Sequence, residues 1–124
     1  MSMPLMDAPL ARRLEQWLDV AAFRHNVIVA NMANVDTPGY KTQDVDFRAT
    51  MANAMNAETP GMEMVASHPM AREVRGLVER PDGNNVSLER ESLLLAENQL
   101  QYRIGIQLMR GQLHQIQSAI NEGR

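Results

Sequence analysis

Three histidines, His25, His68 and His114, are the side chains best suited to metal ligation or proton transfer. None has a second histidine or a carboxylate at a metal-binding helical spacing, so packing or surface roles are expected. The carboxylate pairs Asp44 with Asp46 and Glu89 with Glu91 are two residues apart, a spacing that diverges on a helix and brings no two acids together for general acid–base work. Solvated faces and helix-dipole effects account for them. Gly39 and Gly83 fall in turn sequences, and no glycine-rich loop follows a strand and opens a helix, so no phosphate cradle is expected. The chain has no cysteine, which removes disulfides and thiol chemistry and leaves the redox compartment open. No catalytic residue, cofactor site or metal site is assigned, and the expectation is that the chain is not an enzyme.

The remaining polar and soft residues suit contact better than chemistry. Asn31 and Asn34 fall near the seam side of a helix end, where they can cap it or bond another subunit; for Asn34, local capping is preferred. Met51, Met55, Met62, Met64 and Met70 fall where helical periodicity is lost, so they read equally as loop residues touching neighbours or as a soft groove. The net charge is -3 and the basic residues form no run, which excludes a nucleic-acid footprint and leaves no small-molecule substrate in view. No stretch of about 18 apolar residues occurs, and the N-terminus lacks the charged-then-apolar pattern of a cleaved signal.

The elements that must position these residues are helical. With 44% hydrophobic but only 4% aromatic residues in 124, the apolar content is aliphatic and suits helix seams within one modest domain. Leu10, Leu14, Trp17, Ala21, Ile28 and Val35, widened by Leu18 and Val27, recur with helical spacing and predict an amphipathic helix from about Asp7 to Val35. Asp7 is its expected cap, with Pro9 in the first turn. Thr37-Pro38-Gly39-Tyr40 must end it, because proline excludes Thr37 from the α region and Gly39 accepts a positive φ.

Beyond the turn, Asp44-Val45-Asp46-Phe47 alternates briefly and reads as a short strand or extended arm. From about Ala52 to Asn85, Pro60, Gly61, Pro69, Gly76, Pro81 and Gly83 interrupt any period. Ser87 then caps a second long helix, to about Asn121, with Glu89 and Glu91 in its first turn. Leu88, Leu95, Tyr102, Met109 and Ile116 repeat every seven residues, as do Ile106, Leu113 and Ile120, while Leu93, Leu94, Leu100, Ile104 and Leu108 form a further apolar flank.

The predicted fold is therefore all-α: residues 1–41 and 86–124 pair as a coiled-coil-like hairpin, and residues 42–85 form a largely irregular central insert holding at most a short β segment. One partner helix cannot cover all the apolar faces of the second helix. Few seam side chains against many ordered residues make an isolated hairpin marginal, so full folding is expected on assembly. Leu14, Trp17, Ile28, Asn31, Asn34, Leu95, Tyr102, Ile106, Met109, Leu113, Ile116 and Ile120 are the expected assembly interface, and Thr37 to Tyr40 set where the chain leaves it.

Ala30 to Lys41, reading Ala-Asn-Met-Ala-Asn-Val-Asp-Thr-Pro-Gly-Tyr-Lys, resembles the N-terminal signature of the flagellar rod and hook axial proteins. Asp82-Gly83-Asn84-Asn85-Val86-Ser87-Leu88-Glu89-Arg90-Glu91, followed by Leu95-Ala96-Glu97-Asn98-Gln99-Leu100 and Tyr102, is similar to a proximal rod member of that family. The matched stretches and their helices cover about two thirds of the chain. The resemblance implies a structural rod subunit in the periplasmic part of the basal body, exported without a cleaved signal through the flagellar type III apparatus. It implies as neighbours further copies of itself, the rod proteins FlgC and FlgF, the adaptor FliE, and the membrane ring and export gate. Two alternatives stand beside it: a different rod subunit such as FlgC, and a soluble helical chaperone or regulator of secretion.

Overall fold

A computed structural model describes residues 9–56 and 70–123. The expected cap at Asp7, and His68, Met62, Met64, Pro60, Gly61 and Pro69, lie outside the described residues. Two long helices dominate, α1 over Pro9–Ala33 and α3 over Leu88–Glu122. Between them come strand β1 (Gln43–Val45), helix α2 (Phe47–Asn56) and strand β2 (Ala71–Glu73).

The helices run antiparallel. Asn31 of α1 meets Glu91 of α3, the Ala21 carbonyl meets Asn98, and Trp17 meets Gln101, so rising numbers on one match falling numbers on the other. At 1.5 Å per residue, 25 and 35 residues make rods of about 37 and 52 Å. The far end of α3 therefore reaches beyond the described start of α1.

α1 is buried on two sides. Leu14, Ala21 and Ile28, seven residues apart, are buried, within the stripe read for this helix. Val20 and Val27, about 100° around the helix from Ala21 and Ile28, pack with Val45 of β1, joined by Trp17, Phe23, Phe47 and Ala71. Trp17 and Phe47 meet edge to face at 4.7 Å between ring centres.

The insert carries more regular structure than its punctuation suggests. β1 and β2 pair antiparallel with Gln43 opposite Glu73 and Val45 opposite Ala71. α2 forms because Asp46 caps it: its carboxylate accepts from the Ala49 amide at 3.0 Å, and its carbonyl accepts from the Thr50 amide and hydroxyl. The helix-forming run Phe47–Asn56 after an Asp held that signal, and Met51 and Met55 fall inside this helix rather than in a loop.

The seam on α3 differs from the expected one. Its buried positions are Glu91, Asn98 and Gly105, a seven-residue period of polar and small residues. Leu88, Tyr102, Leu113 and Ile120 are exposed, and Leu95, Ile106, Met109 and Ile116 are half-buried. Leu95 and Asn98 are three residues apart, or about 60° around the helix, so the apolar heptads flank the contact line instead of forming it. Hydrogen bonds decide the rotation: Asn98 Nδ2 donates to the Ala21 carbonyl at 2.9 Å, and Trp17 Nε1 to the Gln101 carbonyl at 2.9 Å. Trp17 comes this close because Gly105 has no side chain; a Cβ there would sit 2.8 Å from the indole and 2.9 Å from Leu18.

Candidate functional site

The two stretches that carried the family resemblance form one structure. Gly39, at φ 76°, turns the chain after α1 so that its amide donates to the Asp82 carbonyl at 2.9 Å. Gly83, at φ 87°, packs its backbone against Gly39, leaving only 3.3 Å between a hypothetical Gly83 Cβ and the Gly39 Cα. A side chain at Gly83 would meet both backbone strain and a neighbour.

Asparagines join the two turns, because one amide side chain both donates and accepts and so imitates a missing stretch of backbone. Asn84 is fully buried. Its Nδ2 donates to the carbonyls of Asn34 and Thr37 at 2.9 and 2.8 Å, and its Oδ1 accepts from the Val86 amide at 2.8 Å. Asn85 Oδ1 accepts from the Thr42 amide at 2.7 Å, while Thr42 Oγ1 donates to the Asn85 carbonyl. Lys41 donates to the Gly83 carbonyl and pairs with Glu79, and Arg80 donates to the Val35 carbonyl. Asn34 closes its own helix end: its Nδ2 donates to the Ala30 carbonyl at 2.7 Å and its Oδ1 accepts from Thr37 Oγ1.

Below this clasp lies a buried carboxylate. Glu91 is 0% exposed, not solvated as its place in the first turn of α3 suggested. It accepts from Asn31 Nδ2 at 3.0 Å and from Arg90 Nη1 at 2.8 Å. Asn31 uses its whole amide: Nδ2 also donates to the Gln43 carbonyl, and Oδ1 accepts from the Gln43 amide and the Tyr40 hydroxyl, each at 3.1 Å. Burial, and then the Glu91 carboxylate, push the Tyr40 phenol above its ordinary pKa. Asp44 too is held rather than solvated, in a two-pronged pair with Arg24 at 2.9 and 3.1 Å. Ser87 caps α3 through the Arg90 amide.

The clasp and the buried carboxylate form one hydrogen-bonded network. Its polar groups spend their bonds on one another, and among the described residues no group of three acids, histidines or cysteines could hold a metal ion. His114 is exposed. His25 lines a groove of about 460 Å³ between α1 and α3, with Ala22, Asn98, Tyr102 and Arg103. What the arrangement does is close a hairpin. Asn31, Asn34 and Thr37 to Tyr40 belong to the clasp, and Leu14, Trp17 and Ile28 to the α1–α3 contact. Tyr102, Leu113 and Ile120 stay exposed among the described residues, Tyr102 at that groove. Glu91, Asn84, Asn85, Thr42, Asn98 and Gly105 were not singled out as site residues; the asparagine density around Asp82–Asn85 was the available signal.

Large apolar side chains stand exposed along α3. Leu93 is 69% exposed, and Leu100, Ile104 and Leu108 about half so. No helix among the described residues is long and apolar enough to cross a membrane.

No family model matches the chain. Comparison with known proteins gives relatives along almost its whole length. The chain is 31% identical to the flagellar basal body rod protein FlgB of Salmonella typhimurium (strain LT2), over 134 aligned positions covering 95% of this chain and 96% of that protein. It is 30% identical to FlgB of Escherichia coli (strain K12) over the same shares. FlgB of Cereibacter sphaeroides is 33% identical over 106 positions, 78% of this chain and 82% of that protein. A hairpin closed by the two signature stretches, similar throughout to these rod proteins, places the chain in the flagellar basal body rod protein FlgB family.

Proposed function

We propose that this chain works as a non-enzymatic building block of the proximal rod, transmitting torque through helices packed against neighbouring subunits. The observation that carries the reading is the division of labour on α3. Its hydrogen-bonded, small-residue face is spent on the hairpin, and its apolar heptads and flank are left for other chains. Copies of itself, FlgC and FlgF, the adaptor FliE, and the membrane ring and export gate are the proposed neighbours. The proposed location is the periplasmic part of the basal body, reached through the flagellar export apparatus without a cleaved signal.

Leu113 and Ile106 test this reading. Leu113 is 49% exposed, so Leu113→Asp should leave the hairpin folded and fail only when a neighbour must cover it, since a buried charge without a partner is costly. In a strain lacking the chromosomal copy, Leu113→Asp and Ile106→Asp should be expressed normally and leave cells non-motile. Normal swimming by both variants would remove the assembly role of this face.

A further inference from the structure

The groove between α1 and α3 belongs neither to the clasp nor to the apolar faces of α3. Apart from two alanines its lining is polar, with a guanidinium at Arg103, an imidazole at His25 and no carboxylate. Neither Arg103 nor His25 makes an ion pair among the described residues. A carboxylate placed there meets positive charge and N–H donors without a competing acid. The amides add a second requirement. Asn98 is 1% exposed, spends Nδ2 on the Ala21 carbonyl and leaves Oδ1 without a partner. Asn26 and Gln99 are exposed beside it, and each of these amides both donates and accepts. The groove therefore suits a ligand that brings donors as well as an anion. A free dicarboxylate brings acceptors alone, whereas an acidic residue within a peptide brings its carboxylate together with backbone N–H and C=O groups. The lining residues fall within 21–26 and 98–103, about 7.5 Å of each helix, which matches roughly two extended residues.

We propose that this groove binds a short, extended acidic segment of a different protein chain. Its carboxylate pairs with Arg103 and His25, its backbone pairs with the amides of Asn26 and Gln99, and Asn98 Oδ1 is the deepest acceptor. The Tyr102 ring, 38% exposed, covers the aliphatic stem of the acidic side chain. The chain's own acids fit poorly. Those inside a helix have no free backbone N–H beyond the first turn, and four of the six described acids outside helices, Asp44, Asp46, Glu79 and Asp82, already serve contacts within the chain. The apolar faces invoked for the rod are no part of this groove, so the two readings stand or fall separately.

Amide NMR spectra of the nitrogen-15-labelled full chain test the proposal. The probes are the blocked tripeptide acetyl-Ala-Glu-Ala-amide, its glutamine counterpart and glutarate, each titrated at fixed ionic strength. The acidic peptide should give saturable shifts centred on residues 21–26 and 98–103, and the glutamine peptide and glutarate should each bind about fivefold more weakly. Arg103→Gln, checked for unchanged helix content by circular dichroism, should also weaken the acidic peptide about fivefold, the range of an exposed ion pair. No saturable shift up to the solubility limit of the peptide, or equal binding by Arg103→Gln, would overturn the site. Glutarate binding as tightly as the acidic peptide would overturn the peptide as occupant in favour of a small acid. Shifts of the same residues that grow with protein concentration alone would assign the groove to a second copy and overturn the proposal as well.

Discussion

Gly105 and Gly111 stand six residues apart on α3 and should answer oppositely to the same substitution. A Cβ at Gly105 meets the Trp17 indole at 2.8 Å, whereas one at Gly111 meets nothing within 4 Å. Gly105→Ala should cost about 1–3 kcal/mol, the range for overpacking a fitted contact, and quench the Trp17 Nε1 bond to the Gln101 carbonyl. Gly111→Ala should stabilise by about 0.5–1 kcal/mol, because glycine is a poor residue inside a helix. Urea unfolding followed by the single tryptophan measures both, and equal effects would refute the close approach at Gly105. Asn84→Ala should cost about 2–3 kcal/mol, since it strips partners from two carbonyls and one amide. Tyr40 adds a pH dependence. Its phenol pKa is raised in the folded chain, so above about pH 10, the ordinary phenol value, the unfolded chain loses its proton first and the folded state loses stability as pH climbs toward the raised pKa. Tyr40→Phe should remove that part of the alkaline decline, and matching pH profiles for the two proteins would argue against it. Little of this was legible from residue type alone: the Thr-Pro-Gly-Tyr turn could be read from proline and glycine stereochemistry, but a buried Glu91 beside Asn31 depends on two residues sixty positions apart meeting.

At the level of elements, helix existence was readable and helix rotation was not. The stripe through Leu14, Ala21 and Ile28 identified one inner face of α1, although Leu10, read on the same stripe, is 48% exposed and Val20, left off it, is buried. On α3 three faces competed, and the apolar heptads through Leu95 and Tyr102 gave way to the line Glu91, Asn98 and Gly105. Periodicity counts hydrophobicity and cannot see that Asn98 reaches the Ala21 carbonyl or that Trp17 needs a missing Cβ. α2 went unread because ten residues bounded by breakers hold too little period, although Asp46 marked its start. The β1–α2–β2 layer is held to α1 by a small cluster in which Val45 is 4% exposed. Val45→Asp should therefore loosen that layer, by about 3 kcal/mol for an unpaired charge placed among apolar groups, and leave the clasp intact. Hydrogen exchange should quicken over residues 43–56 and 71–73 and stay slow over 84–91; uniform quickening would show that layer and hairpin to be one cooperative unit.

For the whole molecule, the balance of surfaces carries the account. Among the described residues the buried hydrophobic core is Leu14, Val20, Ala21, Val27, Ile28, Val45 and Val86, while a longer set of large hydrophobics, including Leu93, Leu100, Ile104, Leu108, Leu113 and Ile120, is exposed. A chain that shows more large apolar side chains than it hides gains stability when neighbours cover them. The clasp fits that economy: polar, directional bonds define the hairpin without consuming the apolar faces that assembly needs. The most direct test is circular dichroism with sedimentation on the purified chain across a concentration series. Helix content and thermal stability are expected to rise together with association. A fully helical, stable monomer whose melting is independent of concentration would contradict it.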